Sequence, residues 1–310
     1  MSSMKAVRLD RYGGVDVLEV RQEPRPTPAK GEALVQIKAA GINPGEAMIR
    51  KGLLHDLWPA SFPSGEGSDL AGVIVETGPG VDQFKLGDEV LGFTHNRGSH
   101  AEFATVPVSQ LTRKPPGMPW EVAGGLFVAG TTAYAAVKAV ALSAGETVAV
   151  SGAAGGVGSI AVQLAKQAGA AVLGIAGPRN DAWLTAHGVI PVNYGGDLAR
   201  RLLAASPNRR IDAFLDFYGP PYVELAVDEL HVPPQKVNTV IDFNAVQKFG
   251  VKSSGSADAA SAEVLAELAA LIAKGALEVP IAKVYPLDAV RDAYEDLEAH
   301  HTRGKIVLRP

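Results

Sequence analysis

The chain has 310 residues, 47% hydrophobic and 20% charged, with a formal net charge of −4 and no cysteine. Such a chain buries a sizeable core and carries a prior of about two domains, which excludes disorder as its main state. The slightly acidic balance argues against nucleic acid as the main partner, and the missing cysteine excludes disulfides, thiolate nucleophiles and thiolate-held metals.

The opening MSSMKAVRLDRYGG shows no apolar run of signal-peptide length before charges return. Up to residue 120, β-rich segments at 5–9, 33–42, 70–77, 89–93 and 100–106 alternate with PRPTPAKG, TGPGVDQFKLGD and RKPPGMPW, which are turn and loop chemistry. Strands at this spacing without long helices predict a compact, barrel-like β domain. After Trp120 the rhythm changes. Strands at 147–151, 171–176, 190–193 and 213–217 alternate with helices at 157–168, near 181–187 and near 197–205. That alternation predicts a parallel sheet with helices on both faces. A strongly helical pattern at 261–274 follows, then a strand, a helix at 287–298 and a last strand at 305–308.

The uncharged run 147–165 spans 19 residues, long enough on paper to cross a bilayer. Its clustered glycines and its polar Thr147, Ser151, Ser159 and Gln163 fit a strand, a turn and a helix better. A soluble, cytoplasmic protein with no membrane partner is the expectation.

The most informative stretch is TVAVSGAAGGVGSIAVQLAKQAGAAVLGIA, residues 147–176, with glycines at 152, 155, 156 and 158 and the next strand 13 residues after Gly158. A turn without Cβ atoms lets the backbone approach a pyrophosphate, while the following helix offers free N–H groups and the positive end of its dipole. The bland alternative, a tight β–α connection without ligand, is disfavoured because strands stand both before and after the turn. The spacing S-G-x-x-x-G-x-G also fits short-chain reductases, which pair it with a downstream Tyr-x-x-x-Lys. Here Tyr134 and Lys138 lie upstream, Tyr134 by 18 residues from Gly152, so that reading is rejected.

The second strand of the unit ends in IAGPRND. An acid there would bind a ribose 2′-hydroxyl, whereas Arg179, the first charged residue, suits a 2′-phosphate. Arg179 as a plain surface arginine and the nearby Asp181 keep NAD open as the alternative to NADP.

Taken together, AAGINPGE (39–46), GSDLAGVIVETGPGV (67–81), FKLGDEVLG (84–92), AGTTAYAAV (129–137), SGAAGGVGSIAVQLAK (151–166), GPRN (177–180) and GKIVL (304–308) make the whole chain resemble a medium-chain dehydrogenase/reductase of the zinc-free quinone oxidoreductase (ζ-crystallin-like) branch. The resemblance implies an α/β protein, a GroES-like β-barrel domain plus a Rossmann doubly wound parallel-sheet domain. The expected boundaries are 1–124 for the first part of the GroES-like catalytic domain, 125–256 for the NADP-binding domain and 257–310 for the return. Zinc-using relatives carry Cys where this chain has Asn43 and His where it has Ser68, and the cysteine-rich zinc lobe is missing after Phe93, so no metal is expected.

The implied activity is NADPH-dependent, metal-free reduction of a quinone or an α,β-unsaturated carbonyl by hydride transfer, with a small-molecule quinone or enone as partner and a homodimer as the assembly. Asn43 and Thr131 are the implied catalytic residues; a turn position before Pro44 and a helix N-cap are their plain alternatives. The implied cofactor contacts are Asn43 and Thr131 near the nicotinamide, and Gly155, Gly156 and Val157 at the pyrophosphate. Gly177, Arg179, Asn180 and Tyr194 follow at the adenosine end, then Phe217 and Ile241 over ribose and nicotinamide, and Lys305 from the last strand. One departure stands out: EAMIRKGLLHDLW (46–58) lacks the tyrosines that bacterial relatives place there, leaving Met48, Leu54 and Trp58, while Arg50 remains as in the family, able to orient Asp69 or Glu66 as readily as to touch substrate. His55 and His95 are possible proton sources, each weighed against a structural role. The alternatives in function are an enoyl-thioester reductase and a non-catalytic NADPH-binding, redox-sensing protein.

Overall fold

The computed structural model describes residues 2–310, and the chain divides into two compact units. Unit 1 comprises residues 1–128, 261–276 and 280–310, and unit 2 comprises 129–260 and 277–279.

The N-terminal part of unit 1 runs β1 (Ser3–Arg8), β2 (Glu19–Pro24), β3 (Glu32–Gly41), α1 (Pro44–Arg50), β4 (Asp69–Thr77), β5 (Glu89–Phe93), β6 (Phe103–Pro107), β7 (Leu111–Arg113) and α2 (Trp120–Gly124). Helix α3 (Phe127–Ala139) then leads into unit 2. There β8 (Thr147–Val150), α4 (Gly156–Gln167), β9 (Ala171–Ala176), α5 (Asp181–Ala186), β10 (Ile190–Asn193), α6 (Leu198–Ala205) and β11 (Ala213–Asp216) alternate. They are followed by α7 (Tyr222–Glu224), a π-helical turn at Leu225–Glu229, β12 (Val237–Thr239) and α8 (Phe243–Phe249). The chain returns to unit 1 with α9 (Ala262–Ala273), β13 (Ile281–Pro286), α10 (Val290–Glu298) and β14 (Lys305–Arg309).

In unit 1, seven strands form one sheet in the order β13-β14-β3-β4-β5-β7, with β6 also paired to β3. The long β3 carries this sheet because it pairs with three strands, β4, β6 and the late β14. It is buried at all but Glu32, Gln36 and Lys38, and its Val35 and Ile37 pack in the core with Leu70, Ile74 and Val90. β1 and β2 pair separately, and bridges from Ala6 to Ala101 and from Leu9 to Ser64 tie β1 to the rest of the unit.

In unit 2 the five strands are all parallel, in the order β10-β9-β8-β11-β12. Strands β8 (TVAV) and β11 (AFLD) are buried at every residue, as strands covered by helices on both faces must be. The order reverses at β8, since the chain moves outward through β9 and β10 and then returns to place β11 on β8's other side. In doubly wound sheets, ligands bind beyond the carboxyl ends of the strands at such a switch point.

The regular elements of unit 2 follow their hydrophobic patterns closely, while α1, α3, β2, β7 and α8 fall where no element is expected from the sequence. In α1 the Asn43-Pro44 start explains the helix: proline suits its first turn, and Glu46 reaches back to the Asn43 backbone N–H at 2.9 Å.

Candidate functional site

The glycine-rich turn of unit 2 runs from the end of β8 into α4. Gly152 adopts φ +58°, a conformation that disfavours any side chain. A Cβ on Gly158 would lie 2.1 Å from the Gly152 carbonyl oxygen, so only glycine lets α4 close onto the turn. Gly155 caps α4 in an extended conformation, and Gly156 and Val157 form its first turn. Their backbone N–H groups lack intrahelical partners at a helix start and sit at the positive end of the dipole.

The next strand, β9, ends at Ala176, and Gly177 leads into a 3-10 turn over Pro178–Asn180. Arg179 is exposed there and Asn180 is buried. Tyr194, just past β10, lies over Gly177: a Cβ on that glycine would stand 3.2 Å from the Tyr194 hydroxyl. Arg201 on α6 holds this loop by donating to the carbonyls of Asn193, Gly195 and Gly196 at 2.6–3.1 Å. The competing acid, Asp181, accepts from Asn193 Nδ2 at 2.8 Å and is thereby directed toward the end of β10.

Further along the sheet, Phe217 and Ile241 follow β11 and β12. The Phe217 carbonyl oxygen approaches the Gly152 turn to 3.3 Å of a notional Cβ, and Ile241 packs against Gly219. Thr131 lies in the body of α3 rather than at an N-cap, fully buried, with its hydroxyl 2.9 Å from that of Ser256.

Unit 1 carries a second polar centre, built around Asn43 and Lys305. Lys305 Nζ donates to the Ile42 carbonyl at 2.8 Å and to Asn43 Oδ1 at 2.5 Å, and lies 3.7 Å from Asp69 Oδ2. Asn43 Nδ2 donates to Glu46 Oε1 at 3.2 Å. Glu46 also accepts from the Ser68 backbone and from the Tyr294 hydroxyl. Arg50, wholly buried beneath the Tyr294 ring, pairs with Glu66 at 3.4 Å and with Glu298 at 2.7 Å, and so orients Glu66 rather than Asp69. Burial pushes the Glu66 carboxyl up to about 8, reinforced by the charge of Glu46 and opposed by Arg50. It pushes Asp69 up to about 6 against the pull of Lys305, and Glu46 upward as well. The same burial lowers His100 to about 4; its Nε2 meets the Gly41 carbonyl at 3.1 Å.

The histidines weighed as proton sources have ordinary partners. His55 shares a hydrogen bond with the Tyr12 hydroxyl, and His95 sets its ring edge against Phe93. Sequence reasoning missed Glu46, Tyr294, Arg201 and the buried Ser151–Asp216–Thr239 group. For Glu46 a signal existed, since Asn-x-x-Glu before a helical segment is capping-box spacing. Among the described residues no group of three or more His, Cys, Asp or Glu stands ready to hold a metal, and no helix is long and apolar enough to cross a membrane.

Comparison with known proteins decides the lineage. Residues 29–116 match the alcohol dehydrogenase GroES-like domain, and residues 184–308 match the family described as zinc-binding dehydrogenase. The quinone oxidoreductase of Pongo abelii is 30% identical over 326 residues, covering 98% of this chain and 97% of that protein. The chain belongs to the quinone oxidoreductase family. This family is a branch of the medium-chain dehydrogenase/reductase superfamily, and its GroES-like and Rossmann-type domains correspond to the mixed sheet of unit 1 and the parallel sheet of unit 2. Among solved structures, the quinone oxidoreductase from Coxiella burnetii superposes with a TM-score of 0.89 at 28% identity over 100% of both chains. The Escherichia coli quinone oxidoreductase, solved as a complex with NADPH, superposes at 0.84 with 26% identity, covering 99% of this chain and 100% of that one.

Proposed function

We propose that this protein is an NADPH-dependent, metal-independent reductase of quinones or α,β-unsaturated carbonyls. The observation that carries the reading is the Gly152–Gly158 turn at the switch point of a five-stranded parallel sheet, whose close approach to α4 tolerates no side chain at Gly158. Family membership and the NADPH complex of the E. coli relative support the same cofactor.

The residues fit such a cofactor. Backbone N–H groups of Gly156 and Val157 would hold the pyrophosphate, with Gly155, whose own N–H donates to the Gly152 carbonyl at 2.9 Å, shaping the turn beneath it. Arg179 would pair with the 2′-phosphate, with Gly177, Asn180 and Tyr194 shaping the adenosine end. Phe217 and Ile241 would cover the ribose and nicotinamide, with Thr131 nearby. When bound, NADPH supplies a hydride to the electron-poor carbon of the acceptor, whose oxygen then takes up a proton. Orientation and electrostatics remain the protein's work.

Asn43 has a defined part in that work. Because an ammonium carries no lone pair, the atom facing Lys305 is Oδ1, and Nδ2 faces Glu46. The lone pair left on Oδ1 suits a hydroxyl donor such as a ribose hydroxyl. Lys305 therefore acts through Asn43. The Lys305 ammonium also supports metal independence, since a fixed cation beside Asn43 and Asp69 repels a divalent ion from that spot.

A cytoplasmic homodimer completes the proposal, with an edge of the parallel sheet as the pairing surface; light scattering on the purified protein tests it. The activity is tested by following NADPH oxidation with a panel of quinones, free enones and enoyl thioesters. Turnover of a quinone or free enone is expected. A strong preference for thioesters would move the assignment to a biosynthetic enoyl reductase, and tight NADPH binding without turnover on any acceptor would leave a binding protein.

A further inference from the structure

Asp216, the last residue of β11, is completely buried, yet its carboxylate gathers donors from three loops. Oδ1 accepts from the Ser151 hydroxyl at 2.6 Å and from the backbone N–H groups of Tyr218 and Gly219 at 3.1 and 3.0 Å. Oδ2 accepts from the Thr239 hydroxyl at 2.8 Å. Both hydroxyls in turn accept backbone N–H groups: Ser151 from Phe217 at 3.0 Å, Thr239 from Ile241 and Asp242 at 3.3 and 3.0 Å.

The direction of each hydrogen bond follows from these partners. Backbone amides can only donate, so they take lone pairs of the two hydroxyls and leave each hydroxyl proton for Asp216. Ser151, Asp216 and Thr239 stand at or just past the carboxyl ends of β8, β11 and β12, which are adjacent in the sheet. One carboxylate thus ties together the Gly152 turn, the Phe217–Gly219 loop and the Ile241–Asp242 loop. A buried negative charge near a turn that favours anions is electrostatically adverse. Its worth lies in geometry: no neutral side chain accepts this many hydrogen bonds from so many directions.

We infer that Asp216, acting through the hydroxyls of Ser151 and Thr239, is the positioning residue that aligns these three loops for the nicotinamide half of the dinucleotide. The inference rests on the dinucleotide reading of the same site and adds residues to it that touch no cofactor themselves.

The test uses the full-length protein and the variants Asp216→Asn, Ser151→Ala, Thr239→Val and Thr239→Ser. NADPH affinity is measured by fluorescence titration, KM and kcat with one quinone, and folding by thermal melting. Losing a hydrogen bond to the buried charge should raise Kd and KM for NADPH about tenfold in Thr239→Val, more than it lowers kcat at saturating NADPH, with the protein still folded. Thr239→Ser, which restores the hydroxyl, should return both constants to the wild-type values. If Asp216→Asn does not fold, the Thr239 pair decides, because both members keep the carboxylate. Folded Thr239→Val and Ser151→Ala variants that bind NADPH as the wild type does would overturn the inference alone. A wild-type protein that does not bind NADPH would overturn the dinucleotide reading, and this inference with it.

Discussion

Lys305 Nζ stands 2.5 Å from Asn43 Oδ1, so a residue of the last strand sets the orientation of an amide at the start of the first helix. The same ammonium is the cation nearest Asp69. Lys305→Met should therefore do two things. It should destabilise the protein by about 3–5 kcal/mol, as expected when a buried ion pair loses one partner, and it should free the Asn43 amide to rotate. Urea unfolding measures the first effect, and a lowered kcat/KM under conditions where the variant is folded measures the second. A variant as stable as the wild type would contradict the compensating role of Lys305.

Stability should depend on pH through Glu66. Its carboxyl ionises near 4.5 in the unfolded chain and near 8 in the fold, so the folded state keeps a proton that the unfolded state releases. The resulting stabilisation is complete below pH 4.5 and is lost as pH rises through 8. Asp69 acts in the same sense between 3.8 and about 6, whereas His100, held neutral in the fold, loses stability as pH falls from 6.5 toward 4. Between pH 6.5 and 8 Glu66 is the one of these three still changing charge. The melting temperature should fall across that interval in the wild type and stay flatter in Glu66→Gln. Parallel curves for the two proteins would be evidence against a protonated Glu66.

At the adenosine end, Arg179→Ala should weaken NADPH binding about ten- to a hundredfold while changing NADH binding little, the scale of charge-assisted hydrogen bonds to a phosphate. Arg179 is exposed, so its removal leaves no cavity, and the Asp181 carboxylate stays engaged by Asn193. Equal losses for both nucleotides would reject a contact to the 2′-phosphate.

Gly158→Ala should be more damaging than its single methyl suggests. The new Cβ would meet the Gly152 carbonyl oxygen at 2.1 Å, a backbone atom that cannot swing aside. Displacing α4 from the turn should cost about 1–3 kcal/mol and should weaken dinucleotide binding beyond that of Gly45→Ala, whose surroundings are open and whose backbone is helical. Calorimetric titration with NADPH on the folded variants makes the comparison.

The parallel-sheet unit was the more legible in the sequence. Its strands are short apolar runs bounded by turn residues, and β9 and β10 fall at 171–176 and 190–193 as their patterns indicate. The elements outside that β–α alternation were less legible for a physical reason. α3, FVAGTTAYAAVKA, is apolar or small nearly all round and shows little amphipathic pattern. β2, EVRQEP, alternates weakly because most of its residues stay partly exposed. At the candidate site, the glycine turn and Arg179 could be proposed from the sequence because their chemistry lies in a local motif. The Asp216 group could not, since Ser151 and Asp216 lie 65 residues apart and only the neighbouring of β8 and β11 joins them.

The place of β14 in the sheet has a consequence for how the protein is made. β14 is inserted between β13 and β3, and it brings the ammonium that Asp69 and Asn43 face. A ribosome emits Glu46 and Asp69, the acidic side of this centre, early, and their counter-charge at position 305 only near the end of the chain. Until then Glu46 and Asp69 have no Lys305 to draw them into the interior, and burying them unpaired is costly. The β-rich unit is therefore begun first and finished last, while the nucleotide-binding sheet has all its strands in hand beforehand. Synthesis order thus makes the parallel sheet the first part of this molecule able to close.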